Sequence, residues 1–334
     1  MKFSITLSIL ILVIGSTAGF LHLQQLVSLR NERLQLAAQA VKAGVRVGFQ
    51  SVPAGPRLSK HHREGKGSGT LVIDESLGKL ATEDPRAAFR WIEENAGAHP
   101  ELANDGTKCS VLARVAQSDP SLAFRLLVDL GIQDMPGAFE AIVGAGRTSQ
   151  ERAAILTASR DHLATIHSPS ERTALREEAL GGLARSVSDE SFETVVSWIS
   201  SEKLSPEEQD FFAAGISYDT AKAETGKWID WMAQALPADK LGDRVGDLVG
   251  QWTEQDYLAA GQWLAAAPEG PVRNFAVKSY ALTVAEYEPQ VAAQWALTLP
   301  AGDELDATLK GIYEYWPKND PAGAAAFAAG HGIK

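Results

Sequence analysis

Few side chains in this 334-residue sequence are spaced for chemistry. Gly65, Lys66, Gly67 and Ser68 have the composition of a phosphate-cradling loop. Such a loop needs a first Gly six positions before its Lys, and position 60 is Lys, with His at 61. His61 and His62 are adjacent, with no spaced Cys or carboxylate to complete a metal site. Cys109 is the one thiol. A nucleophile would need a nearby His and positive surroundings, but only Lys108 adjoins it, and Val111 and Leu112 place it beside apolar residues, where packing is its expected role. Asp161, His162 and His167 lie close in sequence, yet no His-Glu-x-x-His spacing occurs. The pairs Glu93 and Glu94, Asp189 and Glu190, and Glu207 and Glu208 could do acid–base work only if folding converged them. Helix caps and solvated faces are the expected fate of most. The sequence assigns no catalytic residue, no cofactor-binding residue and no metal ligand.

Eight Trp remain. Aromatic faces can stack on sugars, but these recur in register. Trp91, Trp198, Trp231, Trp263 and Trp295 stand seven residues after an acid or Ser, and Trp252 and Trp316 stand four before the next one. Burying a Trp removes about 150–250 Å² from water, worth roughly 4–6 kcal/mol, so a core role is expected. Trp228 takes a slot that is normally small and is the best candidate for a special role.

The register identifies the elements. Asp256, Glu288 and Asp320 are 32 apart, with Ala260, Ala292 and Ala324 at the fourth position after each and Trp263, Trp295 and Phe327 at the seventh. Upstream, Glu224 with Trp231, Ser191 with Trp198, Asp119 with Leu126 and Asp84 with Trp91 continue the series, and the longer gap between Leu126 and Trp198 accommodates one degenerate unit. An acid followed by Pro, as at Asp84, Asp119, Glu288 and Asp320, predicts a helix start, because the side chain accepts orphan N–H groups and Pro fits the first turn. Pro237, Pro268 and Pro300 stop these helices. A second helix follows each, with apolar stripes Val245, Leu248, Trp252, then Val277, Tyr280, Val284, then Leu309, Ile312, Trp316. Capping boxes are expected from Thr148 to Glu151, Ser168 to Glu171 and Ser205 to Glu208.

The fold class predicted is all-α: an α-solenoid of about eight two-helix repeats of 32–36 residues, preceded by an N-terminal signal or anchor helix and a flexible linker. The expected divisions are a signal anchor or signal peptide over 1–21, a juxtamembrane helix over 22–44, a flexible basic linker over 45–71 and the repeat domain over 72–334. The apolar run from Phe3 to Ile14, with no charge until Arg30, fits a membrane anchor or a cleaved signal peptide. Helix-favouring sequence continuing to Ala40 favours the anchor. Gly15 and Gly19 could let two anchor helices dimerise, although small residues also suit a cleavage site.

Charge narrows the partners. Residues 1–69 hold nine of the 31 basic and two of the 42 acidic residues, so the remainder carries 22 against 40. A body that acidic repels polyanions, and nucleic acid is not an expected partner.

The repeated Asp-Pro-x-x-Ala-x-x-Trp pattern, clearest from Glu288 to Pro300, resembles uncharacterised helical-repeat proteins abundant in Verrucomicrobia. The likeness covers most of residues 80–334 and extends to the amino terminus, where His22, Leu23, Gln24, Gln25 and Leu26 open a Leu-rich helix. Unit length is distantly similar to tetratricopeptide and HEAT arrays, but the tetratricopeptide Trp-Leu-Gly-Tyr pattern is missing. The resemblance implies no activity and no catalytic residues.

Two function classes follow. One is a non-catalytic scaffold in the bacterial envelope, either anchored in the inner membrane with its repeats on the periplasmic side or exported, and binding an unknown protein partner. The other is an envelope enzyme acting on glycans through an acidic cleft. Absence of any catalytic motif favours the scaffold.

Overall fold

The computed structural model describes residues 77–100, 103–316 and 320–333. The readings for 1–21, 22–44 and 45–71, including Gly15, Gly19, His61 and His62, lie outside the described residues. Among those described, the regular structure is entirely helical. After a helical stretch at 77–83 come α1 (Pro85–Glu94), α2 (Asp105–Ser118), α3 (Pro120–Asp129), α4 (Ala138–Val143), α5 (Ser149–Ala164), α6 (Pro169–Arg185), α7 (Phe192–Ser201) and α8 (Pro206–Ala214). Then follow a short α9 (Tyr218–Ala221), a 3-10 turn (Lys222–Glu224), α10 (Thr225–Ala235), α11 (Ala238–Ala266), α12 (Pro271–Val284), α13 (Pro289–Ala296), α14 (Asp303–Tyr315) and α15 (Pro321–His331).

Every start predicted by the repeat except Asp256 is a helix N-cap, and Thr148 caps the helix that begins between Leu126 and Trp198 at Ser149. Asp84, Asp119, Ser191 and Asp320 accept from the backbone N–H three residues on, each such cap being worth about 1 kcal/mol. Asp256 does the same to Ala259 but inside α11, where it alone leaves helical geometry at φ −149°, ψ 77°. Asp84, Asp119, Glu288 and Asp320 have similar dihedrals, so one residue forms the elbow between two helices. Glu224 and Glu288 make no such bond to their own helices. The capping boxes at Thr148 and Ser205 are complete. At Ser168 only half forms: Ser168 Oγ accepts from the Glu171 N–H, and the Glu171 carboxylate does not reciprocate.

The irregular step before α10 is not legible in the pattern. There α9 and the 3-10 turn are inserted, and Lys222 adopts φ 44°, a region costly for a residue with Cβ.

Packing is between helices close in the chain. The second helices α2, α4, α6, α8, the long α11, α12 and α14 contact one another in succession, and first helices pack on them. Pairs with substantial contact are at most three helices apart in the chain. At the α6–α8 crossing a Cβ on Gly215 would stand 2.7 Å from the Gly181 carbonyl oxygen, so only Gly permits that approach. All nine residues of the three predicted apolar stripes are buried. The fourth-position residues Ala88, Ala123, Val195, Ala260 and Ala292 are buried too.

The tryptophans divide. Trp198, Trp228, Trp252 and Trp316 are buried, while Trp91, Trp231, Trp263 and Trp295 pack on the core with part of each side chain accessible. Full burial therefore fails for those four, although Trp198 and Trp228 on helices of the same kind are buried.

Candidate functional site

The apolar pattern gives way to charge in the middle of the chain. In the unit opened by Thr148, the fourth position holds Arg152, whose side chain is 0% exposed. Its Nη2 donates to Glu190 at 2.7 Å and to Ser149 Oγ at 3.2 Å, and its guanidinium carbon lies 5.5 Å from the Trp198 ring centroid. Arg152 Nε, Arg152 Nη1 and Trp198 Nε1 are buried without acceptors. A buried charge of this kind persists only with a partner, here Glu190 at the start of the next unit.

Similar pairs join the following helices. Arg160 on α5 grips Glu208 on α8 through Nε and Nη2 at 2.9 and 2.8 Å. Burial would raise the Glu208 carboxyl, but the Arg160 guanidinium and the Ser205 backbone N–H outweigh it and hold it below the ordinary carboxylate value. Arg176 reaches Glu207, and Arg185 reaches Glu140 at 2.8 Å. Arg244 on α11 forks onto the buried Asp210 of α8 at 2.8 and 3.2 Å. That bond raises Arg244 against its burial, with Asp247 and Glu177 adding to the effect. Partial burial and the Glu140 carboxylate push Glu178 up, and Arg185 opposes them. Two charged groups result, one joining α4 to α6 through Glu140, Arg185 and Glu178, the other joining α8 to α11 through Asp210, Arg244 and Asp247. A further link crosses units on the first helices. Glu224, not capping its own helix, accepts from the Phe192 N–H at 2.9 Å, and Lys227 bridges Glu224 and Glu193.

The residues singled out in the sequence do not converge. Cys109 is half-buried with Sγ 3.7 Å from the Pro136 carbonyl oxygen; burial, then Asp105 and Glu140, push its thiol up, opposite to what a nucleophile requires. His162 stacks on Phe124 at 5.0 Å and its burial lowers its pKa. Asp161 beside it is exposed, and His167 Nδ1 is engaged with the Thr165 carbonyl. Glu190, Glu207 and Glu208 each face an arginine, while Glu93 and Glu94 are exposed. Trp228, the tryptophan in the small slot, is 3% exposed and set edge-on to Phe192 and Trp231, so it offers no ring face to a ligand. Among the described residues no group of three or more His, Cys, Asp or Glu is placed to hold a metal ion. No described helix is long and apolar enough to cross a membrane.

A hollow of about 310 Å³ opens between the stretch at 77–83 and α2, lined by Leu77, Ala81, Asn104, Thr107, Ser110 and Arg114 among others. None of its lining residues is a carboxylate. Sequence reasoning missed Arg152 and the Asp210–Arg244 fork. Aligning Thr148 as a repeat start would have exposed the Arg in a small-residue slot. Comparison with known proteins finds no matching family model, curated protein or solved structure.

Proposed function

We propose that the chain is a non-catalytic α-solenoid scaffold of about eight two-helix repeats that presents its second-helix row to a protein partner. The succession of contacts along that row is the single observation that carries the reading. Stacked hairpins that touch only near neighbours give a long surface whose exposed side chains set specificity. In this reading the ion pairs of the middle units hold register, since each joins residues 31–48 apart in the chain. The apolar run from Phe3 to Ile14 supports placement in the envelope, either as an inner-membrane anchor with the repeats on the periplasmic side or as an export signal. Gly15 and Gly19 would offer a homodimer contact in an anchor. The glycan-enzyme alternative gains nothing from the hollow at α2, whose lining lacks the paired carboxylates that such chemistry uses.

The experiment is a crosslinking capture from native envelopes with the full chain and with Glu178→Lys/Asp247→Lys. Both replaced side chains are exposed. The reading expects a defined partner on the full chain and its loss from the variant at unchanged melting temperature. Equal capture by both rejects the second-helix row as the binding face.

A further inference from the structure

The four exposed tyrosines occupy one kind of place. Tyr257, Tyr287, Tyr313 and Tyr315 are 41%, 77%, 38% and 58% exposed, whereas every Trp among the described residues is buried or half-buried. Tyr257 follows the Asp256 elbow within α11, Tyr287 stands just past α12, and Tyr313 and Tyr315 lie in the last turn of α14. They mark the carboxyl ends of three successive second helices. Gly242 faces Phe275 and Gly250 faces Thr283, while Glu304 meets Lys278 and Gly311 faces Leu282, so α11, α12 and α14 run in the same direction with those ends side by side.

Among the described residues, acids outnumber bases at these ends. Glu254, Asp256, Glu286, Glu288 and Glu314 are all exposed. Among the described residues the only ion pair at these acids is Lys310 with Glu314, at 3.9 Å. Because each end abuts the amino terminus of the next helix at an elbow, the helix dipoles largely cancel there and the side-chain carboxylates set the sign. A cation arriving here meets carboxylates and aromatic faces together, the combination that holds Arg and Lys by charge and by cation–π attraction. Spacing restricts the shape of the visitor. Packed helices lie about 8–10 Å apart, and one turn of polyproline II advances three residues at about 3.1 Å each, close to 9 Å.

We propose that this tyrosine-lined edge is a docking strip for a basic polyproline-II segment of a partner protein, with an Arg or Lys at every third residue facing successive helix ends. The proposal supplies a partner class for the scaffold reading and rests on it only through the stacking of α11, α12 and α14. Polyproline II loses little entropy on binding and suits aromatic-lined surfaces.

The test uses the full-length chain in a non-ionic detergent and fluorescein-labelled peptides of repeating Arg-Pro-Pro, Gln-Pro-Pro or Arg-Gly-Gly triplets, read by anisotropy at about 0.15 M salt. Saturable binding of Arg-Pro-Pro is expected, with at least about tenfold weaker binding of both other peptides and of Arg-Pro-Pro to Tyr287→Ala/Tyr315→Ala. Those side chains are exposed, so the variant should keep its melting temperature. The single variant Glu286→Lys, also exposed, should weaken binding without altering the tyrosines. No saturable binding, equal affinity for Gln-Pro-Pro, or unchanged affinity in the tyrosine variant overturns the proposal. Equal binding of Arg-Gly-Gly overturns its polyproline element. Binding to a chain whose helical pairs prove not to stack along its length would sink the scaffold architecture and leave the strip standing.

Discussion

Arg152 shows what one residue does when it departs from a repeat. Its slot is Ala in most units, and a guanidinium there must be neutralised by Glu190, which keeps 19% of its side chain exposed. Arg152→Ala leaves a cavity and an unpaired carboxylate and should cost about 2–4 kcal/mol in urea unfolding, below the cost of a wholly buried pair because Glu190 reaches water. Arg152→Met with Glu190→Gln should recover most of that loss. Failure of the double variant to recover stability would show that the pair contributes more than mutual neutralisation. Trp252, 8% exposed, tests the aromatic filler: Trp252→Ala should cost about 3–5 kcal/mol. Trp91→Ala should cost clearly less, since water already reaches that side chain. Equal losses would contradict the division into buried and half-buried indoles.

Glu208 makes stability depend on pH. Its folded pKa is lowered relative to the unfolded value of about 4.3. Its contribution is therefore complete above that pH and disappears as pH falls through the folded value. Between about pH 5 and pH 3 the wild type should lose urea resistance more steeply than Glu208→Gln. Parallel slopes would remove the Arg160–Glu208 pair as a source of acid sensitivity.

At the scale of elements, the elbows separate caps that bond from caps that do not. Asp119→Ala removes a carboxylate bonded to the Leu122 N–H at 2.8 Å and should cost about 1 kcal/mol. Glu288→Ala removes no such bond and should cost less than half as much, a difference read directly from melting temperatures. Helix starts and apolar stripes were legible because each depends on a local period: an acid before Pro, or contacts at three and four residues. Arg152, the Asp210–Arg244 fork and the Phe192–Glu224 bond were not, because each joins helices more than 30 residues apart and no single period encodes which arginine meets which acid. The insertion at α9 was hidden for a related reason. Ser217 caps a helix of only four residues ahead of the predicted start at Glu224, and the Tyr218 N–H there donates to Gln251, a partner 33 residues away.

For the whole molecule, the solenoid we propose would account together for the contacts between near neighbours in the chain, the small residues at helix crossings and the ion pairs joining residues 31–48 apart. From α2 to α14 the row makes six steps, and at about 8–10 Å per packed helix those ends should stand roughly 50–60 Å apart. Spin labels at Ser110→Cys and Lys310→Cys in a Cys109→Ala background, read by pulsed electron resonance, measure that separation in the full chain. A narrow distribution near about 50–60 Å is the result expected of stacked helical pairs, and one centred below about 30 Å would contradict them.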